Sequence, residues 1–169
     1  ACVPYFFDYP ANRMRMVGVT GTNGKTTTTH MIRHILKAQG HKVGVIGTVH
    51  IMIGDTSYPI HNTTPDVVDL QHILYQMVQE NVEYCVMEVS SHALALGRVS
   101  GVEFDTAVFT NLTQDHLDFH KTFENYLAAK CKLFEQVSAA NQEKDNKGAV
   151  INIDDSYGHR VMEKTTAPT

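Results

Sequence analysis

A glycine-rich turn at residues 20–27, with the sequence TGTNGKTT, carries the residue types that bind nucleoside-triphosphate phosphates. In such a turn, glycines let backbone N–H groups approach phosphate oxygens, a lysine reaches the β- and γ-phosphates, and a hydroxyl meets Mg²⁺. Lys25 and Thr26 stand in the lysine and hydroxyl positions, and Thr27 is placed for a further contact. The remaining predicted phosphate-binding residues are Gly21, Thr22, Asn23 and Gly24. The sequence therefore predicts binding of ATP with Mg²⁺.

The segments on either side of this turn are typical of a strand and a helix. Residues 14–20 form a short apolar run, and apolar residues then recur at helical spacing until Gly40 supplies a stop. We therefore predict a strand at 14–20 and a helix at 24–39, with the turn at the helix N-terminus. Val19 replaces the first glycine of the usual G-x-x-x-x-G-K-[ST] spacing. The alternative interpretation is a glycine- and threonine-rich helix cap without a ligand.

Glu88 follows the apolar run YCVM at residues 84–87, which is predicted to be a buried strand. In an α/β sheet, a side chain at the carboxyl end of a strand faces the crevice in which ligands bind. A carboxylate there offers the hard oxygen atoms that Mg²⁺ prefers. We therefore predict that Glu88 and Thr26 are Mg²⁺ ligands. The alternative is a solvated strand-end acid or an ion pair with Arg98.

Two further sets of residues could do chemistry, but their sequence context alone leaves their roles open. Residues 115–120, DHLDFH, place two histidines and two acids within one short segment, which fits either a metal site or a solvated turn. Lys130 lies on a predicted helix at 123–137. Judged from that helix alone, it is interpreted as a solvated or snorkelling lysine.

Strands and helices alternate along the chain. This order predicts the α/β class, a three-layer P-loop NTPase-like fold with a mostly parallel central sheet and flanking helices. Residues 49–53 and 57–60 are predicted to form a hairpin around Gly54 and Asp55, and Asp66 is predicted to open a helix. Further strands are predicted at 42–48, 83–89, 106–110 and 148–153, and a flexible polar loop at 140–147.

Composition excludes several classes of protein. The 169 residues, 43% of them apolar, favour one domain. The net charge is -4 and the 14 basic residues are scattered along the sequence, so there is no basic cluster of the kind that binds nucleic acid. The 3 cysteines are widely spaced and favour a reducing cytoplasm over a disulfide framework. No apolar run approaches the roughly 18 residues that span a bilayer. We expect a soluble cytoplasmic monomer that binds neither nucleic acid nor membrane.

The turn TGTNGKTT closely resembles the nucleotide loop of the Mur ligases, the ATP-dependent amide-bond-forming enzymes of peptidoglycan precursor synthesis. Further segments agree in order with that family's central domain, across residues 14–160. The NTTPD and EVSSHAL stretches are most similar to the family members that add the third residue of the stem peptide, the UDP-N-acetylmuramoyl-tripeptide synthetases. The agreeing segments are NTTPD at 62–66, MEVSSH at 87–92 with GRV at 97–99, TNLTQDHLD at 110–118, and AAK at 128–130.

The resemblance implies roles for individual residues. Lys25, Glu88, His116 and Lys130 would be catalytic. Glu88 and Lys130 would join Thr26 as Mg²⁺ ligands, and His116 would help to hold a second Mg²⁺ between the γ-phosphate of ATP and the substrate carboxylate. Lys130 would react with CO₂ to give a carbamate, which turns a cation into an anionic oxygen ligand. His120 gains no role from the resemblance. The residues that would hold the UDP-muramoyl-peptide are Asn62, Thr63, Thr64, Ser90 and Arg98, although the segment that begins at Asn62 also suits a helix cap.

The resemblance also implies a domain organisation and a reaction. Residues 1–13 would be a linker from an N-terminal domain, and residues 14–169 a central ATP-binding domain that is truncated at its C-terminal end. The full enzyme would activate UDP-N-acetylmuramoyl-L-Ala-D-Glu as an acyl phosphate and join a diamino acid to it, whereas the fragment alone would be inactive as a ligase. The diamino acid, meso-diaminopimelate or L-lysine, is left open. The alternatives are a folylpolyglutamate- or cyanophycin-synthetase-like ligase, and a P-loop NTPase or nucleotide-binding switch module.

Overall fold

A mostly parallel sheet forms the centre of the molecule. The computed structural model describes residues 2–48, 50–59, 64–138 and 146–169. Within them the strands are β1 (Arg15–Thr20), β2 (Val43–Ile46), β3 (His50–Ile53), β4 (Thr56–Pro59), β5 (Tyr84–Glu88), β6 (Thr106–Phe109) and β7 (Gly148–Ile151). Their order in the sheet is β4-β3-β2-β5-β1-β6-β7. Only β3 pairs antiparallel with its neighbours β2 and β4, so the other strand pairings are parallel.

Helices connect the parallel strands. They are α1 (Cys2–Phe6), α2 (Lys25–Ala38), α3 (Val67–Gln79), α4 (Ser91–Ala95), α5 (Leu117–His120), α6 (Phe123–Ser138) and α7 (Gly158–Met162), with a 3-10 helix at Pro10–Arg13. Asp66 caps α3 by accepting hydrogen bonds from the N–H groups of Val68 and Asp69. Asp66 is therefore the N-cap of α3.

The alternation of side chains along the strands divides the core into two clusters, one on each face of the sheet. One face carries the larger cluster, which includes residues of α3 and α6. There Gly18 lets α6 approach closely, because a Cβ at this position would lie 2.9 Å from the Phe104 ring and 3.0 Å from Leu133. The other face packs against α2, whose Ile32 and Leu36 contact a cluster of strand valines. These are Val17, Val19, Val43, Val86 and Val108. The three-layer prediction is confirmed.

The sequence located every strand and the three long helices, with shifts of only a few residues at their ends. The short helices α1, α4, α5 and α7 were not predicted, because so few residues carry no readable periodicity. Parts of two predicted elements, residues 49 and 60 of the hairpin and residues 140–145 of the polar loop, lie outside the described residues. Within the described part of the chain, no helix has the length and apolar character needed to cross a membrane.

Candidate active site

The phosphate loop joins β1 to α2, and two of its glycines are required by the backbone. Gly21 has φ 151° and Gly24 has φ 81°, in the region that side chains disfavour. A Cβ on Gly21 would lie only 1.9 Å from the Thr110 hydroxyl. The loop can therefore pass against the end of β6 only because this residue is glycine.

The segment after β6 holds the loop in place. Thr22 and Asn23 donate their backbone N–H groups to the carbonyl and the side-chain oxygen of Asn111, each at 2.9 Å. The Thr110 hydroxyl donates to the Asn23 carbonyl at 2.7 Å. These two loop N–H groups are thus used within the protein. Asn111 lies in the TNLTQDHLD segment, but no sequence signal assigned it this role.

Lys25 begins α2 and folds back over the loop. Its ammonium donates to the carbonyl oxygens of Gly21 and Thr22, both at 2.9 Å. Burial lowers the pKa of Lys25, while the nearby carboxylates of Glu88 and Asp115 act in the opposite direction. The loop therefore carries a cation at the N-terminal end of a helix, which is the arrangement that binds phosphate.

Glu88 approaches the loop from the α2 face of the sheet. Along β5, Tyr84 and Val86 pack on that face, so the alternation places Glu88 there too. Glu88 is 1% exposed, and its Oε1 accepts hydrogen bonds from the Thr26 hydroxyl at 2.9 Å and from the Thr48 N–H at 3.1 Å. The ion pair with Arg98 that the sequence left open is not formed, because Arg98 donates to the Thr64 carbonyl at 3.3 Å.

The oxygen atoms around Glu88 suit Mg²⁺. Glu88 Oε2 is buried and makes no hydrogen bond within the described residues, and the Thr26 hydroxyl lies against Oε1 of the same carboxylate. Mg²⁺ takes few protein oxygens and keeps several waters, so one carboxylate and one hydroxyl are a sufficient set. Across the described ranges, no three His, Cys, Asp or Glu side chains are grouped closely enough to hold a metal by themselves.

Lys130 approaches the loop from α6, on the other face of the sheet. It is 1% exposed and lies in the same buried stripe as Tyr126 and Leu133, so helical spacing carries it into the core. Its ammonium donates to the Gly21 carbonyl at 2.8 Å and lies 4.6 Å from the centre of the Tyr126 ring. The interpretation from the helix alone, a solvated or snorkelling lysine, is wrong.

Two features of Lys130 favour its neutral amine. Burial, and then the charge of Lys25, lower the pKa of Lys130 to about 7. The two lysines share the carbonyl of Gly21 as acceptor.

Tyr126 also forms a hydrogen bond with the loop, since its hydroxyl lies 3.0 Å from the Thr22 hydroxyl.

His116 lies near Tyr126, and its side chain is half exposed. It has φ 52° at the start of α5, and its ring lies 6.2 Å from that of Tyr126 and 4.8 Å from that of His92. Its Nε2 is 3.4 Å from the Asp115 carboxylate. His116 is thus accessible at the edge of the same site.

His120 differs from His116, because it is buried. It is 6% exposed, and burial, together with His92 and Lys130, lowers its pKa. Its Nε2 lies 2.9 Å from the hydroxyl of Ser91.

The predicted substrate residues that the structure describes lie around the start of α4. Ser90 caps this helix by accepting from the Ala93 N–H at 3.1 Å, and the Thr64 hydroxyl donates to Ser90 at 3.3 Å. Arg98 follows the helix and bonds Thr64, as described above. The other two predicted substrate residues, Asn62 and Thr63, lie outside the described residues.

A parallel sheet, a glycine-rich turn with a lysine at a helix N-terminus and a buried acid at the end of the adjacent strand define this chain as a phosphate-loop α/β domain. The chain belongs to the Mur ligase family: the family model for the Mur ligase middle domain matches residues 19–169.

Close sequence relatives have names that agree with this family. The chain is 53% identical over 163 residues to the UDP-N-acetylmuramoyl-L-alanyl-D-glutamate--2,6-diaminopimelate ligase of Geobacillus kaustophilus, covering 96% of this chain and 33% of that protein. It is 51% identical over 158 residues to the corresponding ligase 1 of Clostridium acetobutylicum, covering 94% of this chain and 31% of that protein. The chain thus spans about a third of the length of the curated relatives it matches.

Solved structures show the same fold. A structure of a UDP-N-acetylmuramoyl-L-alanyl-D-glutamate--2,6-diaminopimelate ligase superposes with a TM-score of 0.80 at 34% identity, covering 92% of this chain and 31% of that one. E. coli FolC in complex with DHPP and ADP superposes with a TM-score of 0.70 at 20% identity, covering 98% of this chain and 45% of that one. At this identity the FolC match shows the fold alone.

Proposed function

We propose that this chain is the ATP-binding middle domain of a ligase that joins 2,6-diaminopimelate to UDP-N-acetylmuramoyl-L-alanyl-D-glutamate. The observation that carries the proposal is the convergence of Glu88 and Lys130 on the phosphate loop from opposite faces of the sheet. Both side chains are 1% exposed. Burying an ionisable group costs free energy unless the group is paired, and such groups are concentrated at functional sites. The names of the relatives that share about half of its residues support diaminopimelate as the added amino acid.

The proposed reaction activates a substrate carboxylate as an acyl phosphate, which an amine then attacks to form the amide. Negative charge spreads over the oxygens of the transferring phosphoryl group, so the site must present cations to it. Lys25 would exchange its two carbonyl acceptors for phosphate oxygens. The backbone N–H groups at the start of α2, together with Thr27, would complete the phosphate contacts.

Mg²⁺ would be held by Thr26 and Glu88 on one side of the loop, with His116 and a modified Lys130 on the other. The ion would neutralise charge on the phosphoryl oxygens. The buried, unpartnered Oε2 of Glu88 supports the first half of this set. The half-exposed ring of His116 lies near Tyr126, over whose ring Lys130 is placed, and this arrangement supports the second half.

Lys130 would act as a carbamate. Its neutral amine would attack the carbon of CO₂, form an N–C bond and release one proton, which leaves an anionic oxygen pair. The pKa of about 7 supports this reaction, since much of the lysine is then neutral near pH 7. The carbamate nitrogen keeps one N–H, which can still donate to the Gly21 carbonyl.

The substrate would lie against α4. Thr64, Ser90 and Arg98 are grouped there, and Arg98 offers a permanent, forked cation for a phosphate or carboxylate. Asn62 and Thr63 would extend this surface. We further propose that residues 1–13 lead in from an N-terminal domain, that a C-terminal domain brings the amine, and that the whole enzyme is a cytoplasmic monomer.

The test is ligation by the proposed full-length enzyme. With ATP, Mg²⁺, UDP-N-acetylmuramoyl-L-alanyl-D-glutamate and one diamino acid, mass spectrometry should detect the tripeptide product with diaminopimelate and far less with lysine. ADP formation should depend on the UDP-dipeptide. Nucleotide hydrolysis at the same rate without the dipeptide would instead indicate a switch-type NTPase.

The isolated 169-residue chain should make no tripeptide under the same conditions. An acyl phosphate needs a closed, dry site, and the proposed closing domain is not part of these residues. Product formation by the chain at the rate of the full enzyme would show that the proposed domain organisation is wrong.

A further inference from the structure

His120 and Ser91 form a buried hydrogen bond between two segments that are 29 residues apart. His120 Nε2 lies 2.9 Å from Ser91 Oγ, and the two residues are 6% and 2% exposed. A buried polar pair of this kind is held firmly, because breaking it would leave both groups unsatisfied. We call this hydrogen bond the latch.

One end of the latch is tied to the metal side of the proposed site. His120 closes the short helix α5, and its backbone N–H donates to the carbonyl of His116 at 3.0 Å. The Asn125 side chain donates to the His120 carbonyl at 3.0 Å, which joins α5 to α6. The His120 ring also lies 5.2 Å from the ring of Tyr126, over which Lys130 is placed. The position of His120 therefore sets the position of His116.

The other end is tied to the substrate side. Ser91 is the first residue of α4 and follows Ser90, the cap residue of that helix. Ser90 bonds the Thr64 hydroxyl, and Arg98 bonds the Thr64 carbonyl. A shift of Ser91 would therefore move the start of α4 and the residues that surround Thr64.

We propose that His120 is a positioning residue that locks the turn carrying His116 to the start of α4, so that the Mg²⁺ side and the UDP-dipeptide side of the site keep one relative placement. This inference rests on the proposed function for the identity of the two ligands. His120 acts here through Ser91 and not as a metal ligand, because its Nε2 is already bonded within the core.

The latch is tested with Ser91→Ala, His120→Phe and the double variant in the proposed full-length enzyme. The matched control is Ser138→Ala, which removes another inter-segment hydroxyl pair, Ser138 to Thr165 at 2.7 Å, in the last turn of α6. The measurements are the KM for the UDP-dipeptide, the Mg²⁺ concentration for half-maximal activity, and Tm.

Each latch variant should raise both the KM and the Mg²⁺ requirement by roughly fivefold. The double variant should be no more impaired than the more impaired of the two single variants. His120→Gln, which can keep a hydrogen bond to Ser91, should recover most of the loss. Ser138→Ala should lower Tm by a similar amount and leave both constants unchanged. Unchanged constants in the latch variants, or effects that simply add in the double variant, would overturn the proposal.

Calorimetry on the 169-residue chain separates this test from the proposed function. ADP affinity without Mg²⁺ should match wild type in Ser91→Ala, whereas the gain in affinity on adding Mg²⁺ should shrink. That result would support the latch even if the full-length enzyme made no tripeptide. An unchanged gain in Ser91→Ala would overturn it, and this mild variant keeps the test open if His120→Phe does not fold.

Discussion

Glu88 and Lys130 are equally buried but are held in different ways. Glu88 receives hydrogen bonds from Thr26 and Thr48 through one oxygen and keeps the other unpartnered within the described residues. Within the described residues, Lys130 donates to one carbonyl, that of Gly21, and it also lies near the Tyr126 ring and the charges of Lys25 and Asp115.

The difference indicates what each residue is prepared to do. The acid is held in place by two hydrogen-bond donors at one oxygen, while its other oxygen is unpartnered within the described residues, so it can hold a cation as it stands. The lysine is placed where its charge is penalised, so it is prepared to lose a proton and react. Under the proposed function, one face of the sheet would thus supply a finished ligand to the phosphate loop, and the other would supply a group that must first be modified.

The largest effect should come from removing the reactive lysine. In the proposed full-length enzyme, Lys130→Ala should lower turnover by roughly a hundred- to a thousandfold, because an anionic ligand near the transferring phosphoryl group is lost. Adding a short-chain carboxylic acid should restore part of the activity. Lys132→Ala, an exposed lysine on the same helix, is the control and should retain full activity. Normal turnover in Lys130→Ala would show that this side of the site has no catalytic role.

The penalty on the lysine charge should also appear as a pH dependence of stability. Lys130 has a pKa of about 7 in the folded chain and 10.5 as the reference for the unfolded chain. Between these values the unfolded state binds one proton more, so the free energy of unfolding rises with pH. From about pH 7 to about pH 9, wild type should gain up to about 2.5 kcal/mol relative to Lys130→Met.

Urea unfolding of both proteins in CO₂-free buffer measures this difference, and the comparison cancels the other titrating groups. Below about pH 7 the difference should become constant, since both states of wild type are then protonated. A difference that does not vary across this range would mean that Lys130 keeps an ordinary pKa.

A smaller effect should follow from changing the acid. Glu88→Gln keeps the size of the side chain but removes the charge that attracts Mg²⁺. Calorimetry on the 169-residue chain should show that Mg²⁺ strengthens ADP binding in wild type, and that the variant loses roughly fivefold of this gain. Without Mg²⁺ the two proteins should bind ADP alike. If Mg²⁺ strengthens binding equally in both, Glu88 is not a metal ligand.

The same comparison explains what the sequence alone could predict. The Glu88 side follows from local patterns, since a strand-end acid and a glycine-rich turn are each read from a few neighbouring residues. The parallel sheet then brings β1 and β5 together in register, with Val19 opposite Glu88.

The Lys130 side depends on tertiary packing and could not be read locally. A lysine on an amphipathic helix is usually solvated, and only the matched family segment pointed to Lys130. Its burial arises because Gly18 lets α6 pack close to β1 and because the phosphate loop offers the Gly21 carbonyl. The Ser91 to His120 hydrogen bond joins two short helices that no periodicity revealed.

Lys25 provides the most direct test of the central claim, that both faces of the sheet serve a phosphate site. Titration calorimetry compares ADP binding to wild type and to Lys25→Ala, with Lys37→Ala, a more exposed lysine on the same helix, as the control. Losing a charged hydrogen-bond donor to phosphate costs about 1.5–3 kcal/mol, so Lys25→Ala should weaken ADP binding by more than about tenfold. Lys37→Ala should bind as wild type does, and circular dichroism should show the same fold in all three proteins. Equal ADP affinity in wild type and Lys25→Ala would contradict the account.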